Sequence, residues 1–270
     1  LASYFARVPA RLHTVAGLPL VETTGFKRFI LNFVERLTYR CSTMVYPNSF
    51  GLKEIILKNR FTTKNKLRII GNGSSNGIDT SYFDSELFSS LENNTLKSKL
   101  GVEINDFVFI FVGRVVSDKG INELVEAFDR FCLLEQDIKL LIVGPLEDEL
   151  DPLNEQTKLL INNNINIISV GYQHDVRPYF AISDSLVFPS YREGFPNVVM
   201  QAGAMGLPSI VSDINGCNEI IVNNINGLII GVKSVQTIYD AMIKITSDKY
   251  LFNKLRLNSR DSIKIKYERE

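Results

Sequence analysis

Cysteine, histidine and long apolar runs are scarce in this 270-residue chain, and its formal net charge is zero. Cys41, Cys132 and Cys217 lie far apart, in no metal-ligand spacing. That excludes a disulfide framework or a zinc ribbon and argues for a reducing compartment; each thiol reads as a small buried side chain. The longest apolar run, around Phe107 to Val112, is far short of the about eighteen residues that a spanning helix needs. No stretch resembles a cleavable signal peptide, and there is no internal repeat or low-complexity segment. What remains, 45% hydrophobic and 22% charged residues, is the composition of a globular chain with a substantial core.

The zero charge is an average over two unlike parts. Residues 1–70 hold twelve Lys and Arg against three Glu, which leaves them nine positive and the remainder nine negative. A phosphate-bearing partner or an anionic membrane surface fits the first part, as do ordinary solvated helix faces. Nucleic acid does not fit, because the basic segment lacks exposed aromatics interleaved with its charges as a stacking surface.

Strands and helices alternate along the chain. Ala10 to Val15 reads as a strand entering a Gly17-Leu18-Pro19 loop. A helix follows over Thr24 to Arg40, with Phe26, Ile30, Phe33, Val34 and Leu37 at helical spacing. Next come a strand at Thr43 to Tyr46, a helix over Asn48 to Asn59 capped by Asn48 or Ser49, and a strand at Leu67 to Ile70. This is too little for a complete doubly wound domain. With Leu1 in what looks like the middle of a helix, the chain reads as a piece of a longer protein. The polar, glycine-rich break from Gly71 to Asp79 marks the crossing to a second domain, so the division expected is 1–70 and 71–270. It is not a dinucleotide fingerprint, because Asn76 stands where the third glycine is required. Beyond it the succession is regular: strand Phe107 to Val112, helix Asn122 to Leu134, strand Lys139 to Val143, helix Gln156 to Asn162, strand Ile165 to Ser169, short helix Val176 to Ser183. Two helices, Val235 to Thr246 and Lys249 to Lys266, close the chain. The fold class expected is α/β with parallel sheets.

The chemistry concentrates between Ser190 and Glu219. Strand Ser185 to Phe188 leads into a loop with Glu193-Gly194-Phe195, Pro196 stands at a helix start, and the helix over Asn197 to Met205 stops at Gly206 before a strand at Pro208 to Val211. A loop at the carboxyl end of a strand, followed by an open helix N-terminus, suits a diphosphate. Gly113-Arg114 after the strand Phe107 to Val112, and Lys119-Gly120 before the next helix, add two cations at the same sheet edge. Arg supplies a planar fork for phosphate oxygens and Lys a compact charge, enough to hold a departing diphosphate without metal. The acidic run Glu147, Asp148, Glu149 and Asp151 reads as a solvated loop rather than a metal site. His174, just before a helix, reads as a cap or surface residue.

VGRVVSDKGINELVEAF, NGSSNGIDTSYF and FPSYREGFPNVVMQAGAMGLPSIVSDINGCNEII resemble the family 4 retaining glycosyltransferases of the GT-B fold, nearest the bacterial enzymes that build capsular, exopolysaccharide or O-antigen repeats. The resemblance runs from His13 to Glu219. It implies a C-terminal Rossmann-like domain with a parallel sheet beside a partial N-terminal one, and transfer of a hexose or N-acetylhexosamine from a nucleoside diphosphate sugar, UDP favoured, with retention of configuration. The acceptor implied is a saccharide or a polyprenyl-diphosphate-linked saccharide. No cofactor or metal is implied. Arg114 and Lys119, beside Gly113, would hold the donor diphosphate. Glu193 would accept hydrogen bonds from donor-sugar hydroxyls, and the N–H groups of Gly194, Phe195, Asn197 and Val198 around Pro196 would face sugar and phosphate. Gly144, Gly171 and Tyr172 would border the nucleoside, and His13, ending a strand of the first domain, would contact the donor near its anomeric carbon. The chain departs from the family where a second Glu commonly binds the ribose: here it has Gln201, a neutral and weaker acceptor. The location implied is cytoplasmic, peripheral on the inner face of the cytoplasmic membrane. A nucleotide-sugar-binding remnant without transferase activity and a GT-B nucleotide-sugar epimerase are the alternatives.

Overall fold

The computed structural model describes residues 1–18, 23–74, 76–147, 149 and 151–269. Pro19 of the Gly-Leu-Pro loop and Asp148 of the acidic run lie outside the described residues. The contacts divide the chain into two compact units, one of Leu1–Asn76 with Glu193–Pro196 and one of Gly77–Arg192 with Asn197–Glu270.

In the first unit, α1 (Ala2–Phe5) precedes β1 (Leu12–Val15), which pairs in parallel with β2 (Met44–Pro47) in the register His13 to Val45. Between the strands runs α2 (Gly25–Cys41), and after them α3 (Phe50–Lys58). Of the two cap residues expected for α3, Ser49 is the one used: its hydroxyl accepts the Leu52 N–H at 3.1 Å and satisfies an N-terminal donor. The core joins Val15, Tyr39, Val45, Leu52, Ile56, Phe61 and Leu67. The strand expected over Leu67 to Ile70 is reduced to one bridge between Val45 and Leu67. The Arg68 N–H still reaches the Val45 carbonyl, but a turn with Gly73 N bonded to Ile70 O redirects the backbone before a ladder can extend. The apolar stripe of α2 also departs from a core face. Leu31 packs on the core and Tyr39 is buried, whereas Phe26 and Phe33, on the other side of the helix, are 76% and 61% exposed.

The second unit is built on a six-stranded parallel sheet, β3 (Phe107–Val112), β4 (Ile138–Val143), β5 (Ile167–Gly171), β6 (Ser185–Phe188), β7 (Ser209–Ser212) and β8 (Gly227–Ile230), in the order β5-β4-β3-β6-β7-β8. β3, Phe-Val-Phe-Ile-Phe-Val, is buried from Val108 to Val112, as a central parallel strand covered on both faces must be. The helices are α4 (Ser90–Leu100), α5 (Ile121–Cys132), α6 (Glu155–Asn163), α7 (Arg177–Ala181), α8 (Asn197–Ala204), α9 (Cys217–Ile220), α10 (Val235–Ser247) and α11 (Lys249–Tyr267). Phe128 and Phe131 of α5 meet Phe109 edge to face. Hydrophobic periodicity passes over α4, which buries no residue. Its ends are set by local chemistry instead: a capping box between Ser89 and Glu92, and Gly101 in the left-handed conformation at its end.

Asp184 enters β6 with its backbone and side chain both tied to Val108, whose N–H reaches the carboxylate at 2.8 Å. Burial pushes this carboxyl above the ordinary carboxylate range, against the opposing pull of the Val108 N–H and of Lys97 and Arg256. An acid whose folded value is raised contributes stability below the unfolded value and loses it as pH rises through the folded one. Asp184→Asn keeps an acceptor for Val108 and removes the charge, so its melting temperature exceeds that of the parent at pH 7 and the difference closes toward pH 3. A difference that is independent of pH refutes this account.

Candidate functional site at the carboxyl edge of the six-stranded sheet

The strand order of the second unit reverses between β3 and β6, since β4 and β5 extend the sheet on one side and β7 and β8 on the other. Loops leaving the carboxyl ends of the two strands at such a switch point diverge and open a crevice. Here those loops begin at Gly113-Arg114 and at Pro189-Ser190, so the expected cations and the approach to Glu193 flank the one place on the sheet where topology makes room for a ligand.

Three glycines end β3, β4 and β5. The Gly113 N–H donates to Val143 O at 3.0 Å and the Gly144 N–H to Gly171 O at 2.9 Å. A Cβ on Gly144, at φ +150, would lie 1.7 Å from the Gly113 carbonyl oxygen. No other residue fits that approach, and the result is a ledge without side chains that backbone and ligand can share closely. Tyr172, directly after Gly171, is 70% exposed beside it.

Arg114 leaves this edge with its guanidinium on Glu147 at 3.0 Å, both side chains partly in solvent. An exposed pair of this kind is worth at most about 1 kcal/mol, so a doubly charged phosphate displaces Glu147 readily. Reading the acidic run as merely solvated therefore missed Glu147. Its only signal in the sequence is that it follows a strand neighbouring the one before Arg114.

Lys119 is held by a more elaborate scaffold. It ends a 3-10 turn, Ser117–Lys119, closed by Gly120 in the left-handed conformation. A Cβ on Gly120 would lie 2.3 Å from the Pro189 carbonyl oxygen, so the turn sits directly on the end of β6. Asp118 then joins the two loops. Its N–H donates to Asp151 at 2.6 Å, its carboxylate accepts from Arg192 at 3.0 Å, and its carbonyl accepts the Tyr191 N–H at 2.9 Å. The Tyr191 hydroxyl in turn donates to the Glu123 carboxylate at 2.7 Å. Burial, reinforced by Glu123, pushes that phenol well above its usual range, so it remains a donor. Asp118 and Arg192 adjoin Lys119 and Glu193 in sequence, yet nothing in their spacing of 74 residues announces the bridge. The Lys119 ammonium lies 5.8 Å from the centre of the Phe188 ring.

α8 begins at Asn197, so Pro196 stands immediately before the helix rather than within it. The N–H groups of its first turn have no acceptors inside the helix, and Val198 and Gln201, both half-buried, lie along it. In the first unit, a Cβ on Gly194 would fall 1.5 Å from the Ala16 carbonyl oxygen, which makes glycine obligatory there. Phe195 is buried. His13 does not end its strand: β1 continues to Val15, and the imidazole rests 5.6 Å from the Tyr39 ring. His174 is exposed, and the capping expected of it falls to Asp175, which accepts the Arg177 N–H at 3.0 Å. Among the described residues no group of His, Cys, Asp and Glu is placed to hold a metal ion.

Residues 92–262 match the family described as glycosyl transferases group 1. Over 268 residues the chain is 32% identical to the capsular polysaccharide biosynthesis glycosyltransferase CapM of Staphylococcus aureus, covering 99% of this chain and 69% of that protein. It is 31% identical over 270 residues to the UDP-Gal:alpha-D-GlcNAc-diphosphoundecaprenol alpha-1,3-galactosyltransferase of Escherichia coli, covering 97% and 66%. The chain thus spans about two thirds of the length of these relatives. Among solved structures, HepE of Anabaena in complex with UDP and glucose superposes with a TM-score of 0.80 at 18% identity, over 99% of this chain and 70% of that one. That likeness carries the fold, which is of the GT-B type. By the match over most of its length and by its identity to CapM, the chain belongs to the glycosyl transferases group 1 family.

Proposed function

We propose that the chain transfers a hexose or N-acetylhexosamine from a nucleoside diphosphate sugar, UDP favoured, to a saccharide or polyprenyl-diphosphate-linked saccharide, with retention of anomeric configuration, in cell-surface polysaccharide synthesis. The observation that carries this reading is the placing of Arg114 and the clamped Lys119 on either side of the switch point, next to a ledge free of side chains. Breaking the bond from the anomeric carbon to the diphosphate leaves its electron pair on a phosphate oxygen. Two fixed cations and the first turn of α8 stabilise that developing charge in place. Arg114 takes two oxygens after leaving Glu147, and Lys119 supplies the point charge. Gly144, Gly171 and Tyr172 border the nucleoside, and Gln201 accepts from a ribose hydroxyl. Glu193 and the N–H groups from Gly194 to Val198 orient the sugar, and His13 addresses it near the anomeric carbon. The name of the Escherichia coli relative, with its UDP-linked donor and diphosphoundecaprenol acceptor, supports the choice of donor and acceptor classes. Three cysteines without disulfides, Cys41 and Cys217 buried, fit a cytoplasmic setting.

Melting the chain with UDP, GDP, ADP or inorganic diphosphate tests the site. A ligand at a hundred times its Kd stabilises the folded state by about 2.7 kcal/mol. One nucleoside diphosphate is expected to raise the melting temperature in the parent and not in Arg114→Ala. No response to any of them overturns the donor site. A sugar product that forms without acceptor assigns epimerisation in place of transfer.

A further inference from the structure

We infer that the outward face of α2 seats this protein on an anionic lipid surface. Phe26, Phe29, Ile30, Phe33 and Val34 are 76%, 68%, 45%, 61% and 47% exposed. Their spacing of three and four residues puts all five on one side of the helix, and the rings of Phe26 and Phe29 stack at 6.4 Å. Folded proteins rarely leave such a stripe to water without a use for it. The helix is not loosely attached. Its opposite side is anchored by Leu31 on the core, by buried Tyr39 and Cys41, and by Arg28, whose guanidinium reaches Asn59 at 3.3 Å.

The charges identify the occupant. At a hundred degrees per residue, Lys27 borders the apolar stripe on one side and Arg36 and Arg40 border it on the other, and all three are exposed. The helix has a single acid, Glu35. It lies on the inward side beside the Tyr39 phenol, whose pKa burial and this carboxylate push up. An apolar stripe rimmed by cations, with no acid on the outward side, is the pattern of a helix lying in the plane of a bilayer: rings in the acyl boundary, cations on lipid phosphates. The surplus of nine positive charges over residues 1–70 extends the attraction. A second copy of the chain docked through the same face about a two-fold axis brings these cations against one another and is disfavoured. Among the described residues no helix is long and apolar enough to cross a membrane, so the contact is peripheral.

The test is sedimentation of the full chain with phosphatidylcholine vesicles and with mixed phosphatidylcholine and phosphatidylglycerol vesicles, at low salt and at about 1 M salt, where the Debye length is about 3 Å. Binding is expected on the anionic vesicles at low salt, at least about tenfold stronger than on the zwitterionic ones, and largely lost at high salt. Phe29→Ser with Phe33→Ser lowers partitioning by about tenfold or more. Lys27→Glu with Arg36→Glu does the same, each cation being worth about fivefold before its reversal is counted. All four positions face solvent, and circular dichroism verifies that the variants fold. The chain has no tryptophan, so Phe33→Trp is a sole reporter whose emission moves to the blue on anionic vesicles alone. Equal binding to both vesicle types, a tryptophan that stays in water, or indifference to the four substitutions overturns the inference. Self-association abolished by Phe29→Ser, without vesicle binding, assigns the face to a second copy. The readout needs no turnover, so its failure and failure of the donor-site reading are separate results.

Discussion

Lys119→Ala is expected to lower kcat/KM for sugar transfer by about a hundred- to a thousandfold, with most of the loss in kcat. Removing one preorganised donor from a developing oxyanion costs about that much in well-studied sites. Lys119 qualifies as preorganised because the turn that carries it is fixed before any ligand arrives. Gly120 seats it on Pro189, and Asp118 ties it to Asp151, Tyr191 and Arg192. Little of the binding energy is then needed to order the cation, and the stabilisation grows as charge moves onto the leaving diphosphate. Arg114 differs, since it must first leave Glu147, so Arg114→Ala falls more heavily on KM. Steady-state kinetics over a range of donor concentrations resolves the two. A Lys119→Ala enzyme within threefold of the parent, with an unchanged melting temperature, removes this residue from the mechanism.

Arg260→Met is expected to be the more damaging change for stability, at about 3 kcal/mol. From α11 this guanidinium donates to the carbonyls of Thr80 and Phe83 at 2.9 Å, to the Asp84 carboxylate at 2.8 Å and to the carbonyl of Ala204. One planar group thus satisfies acceptors on the segment entering the second unit and at the end of α8. Methionine fills much of the same volume and leaves those acceptors partly buried without a donor, at a cost of about 1–3 kcal/mol for the worst of them and more for the carboxylate. A domain of this size loses about 2–4 °C per kcal/mol, so melting falls by about 6–12 °C. Arg260→Lys recovers little, because an ammonium cannot span a fork that reaches four acceptors. A drop below 2 °C shows that the network is not what holds α11.

The alternation of strands and helices, the long buried strand β3, and the residues that end β3 and β6 in glycine, arginine and the Glu193 loop were legible in the sequence, because period and turn chemistry are local. Elements without a periodic apolar signal were not. α4 is held by its caps, and β8 is a four-residue strand at the sheet edge. The segment Leu67 to Ile70 carried the propensity of a strand and lost the ladder to the turn that follows it. Propensity yields where backbone hydrogen bonds go elsewhere.

By itself the sequence determined the kinds of element, their order, and the motifs that mark the family: Gly113-Arg114, Lys119-Gly120 and Glu193-Gly194-Phe195-Pro196. Only the tertiary structure decided that β3 and β6 are neighbours, that Asp118 bridges to Arg192 across 74 residues, that Glu147 holds Arg114, and that the phenylalanines of α2 face outward. The physical reason is that helical spacing states which residues share a face, whereas the direction of that face is set by what packs against the opposite side. Strand order and long-range ion pairs are likewise properties of the packed chain, settled by the sheet and its crossovers together.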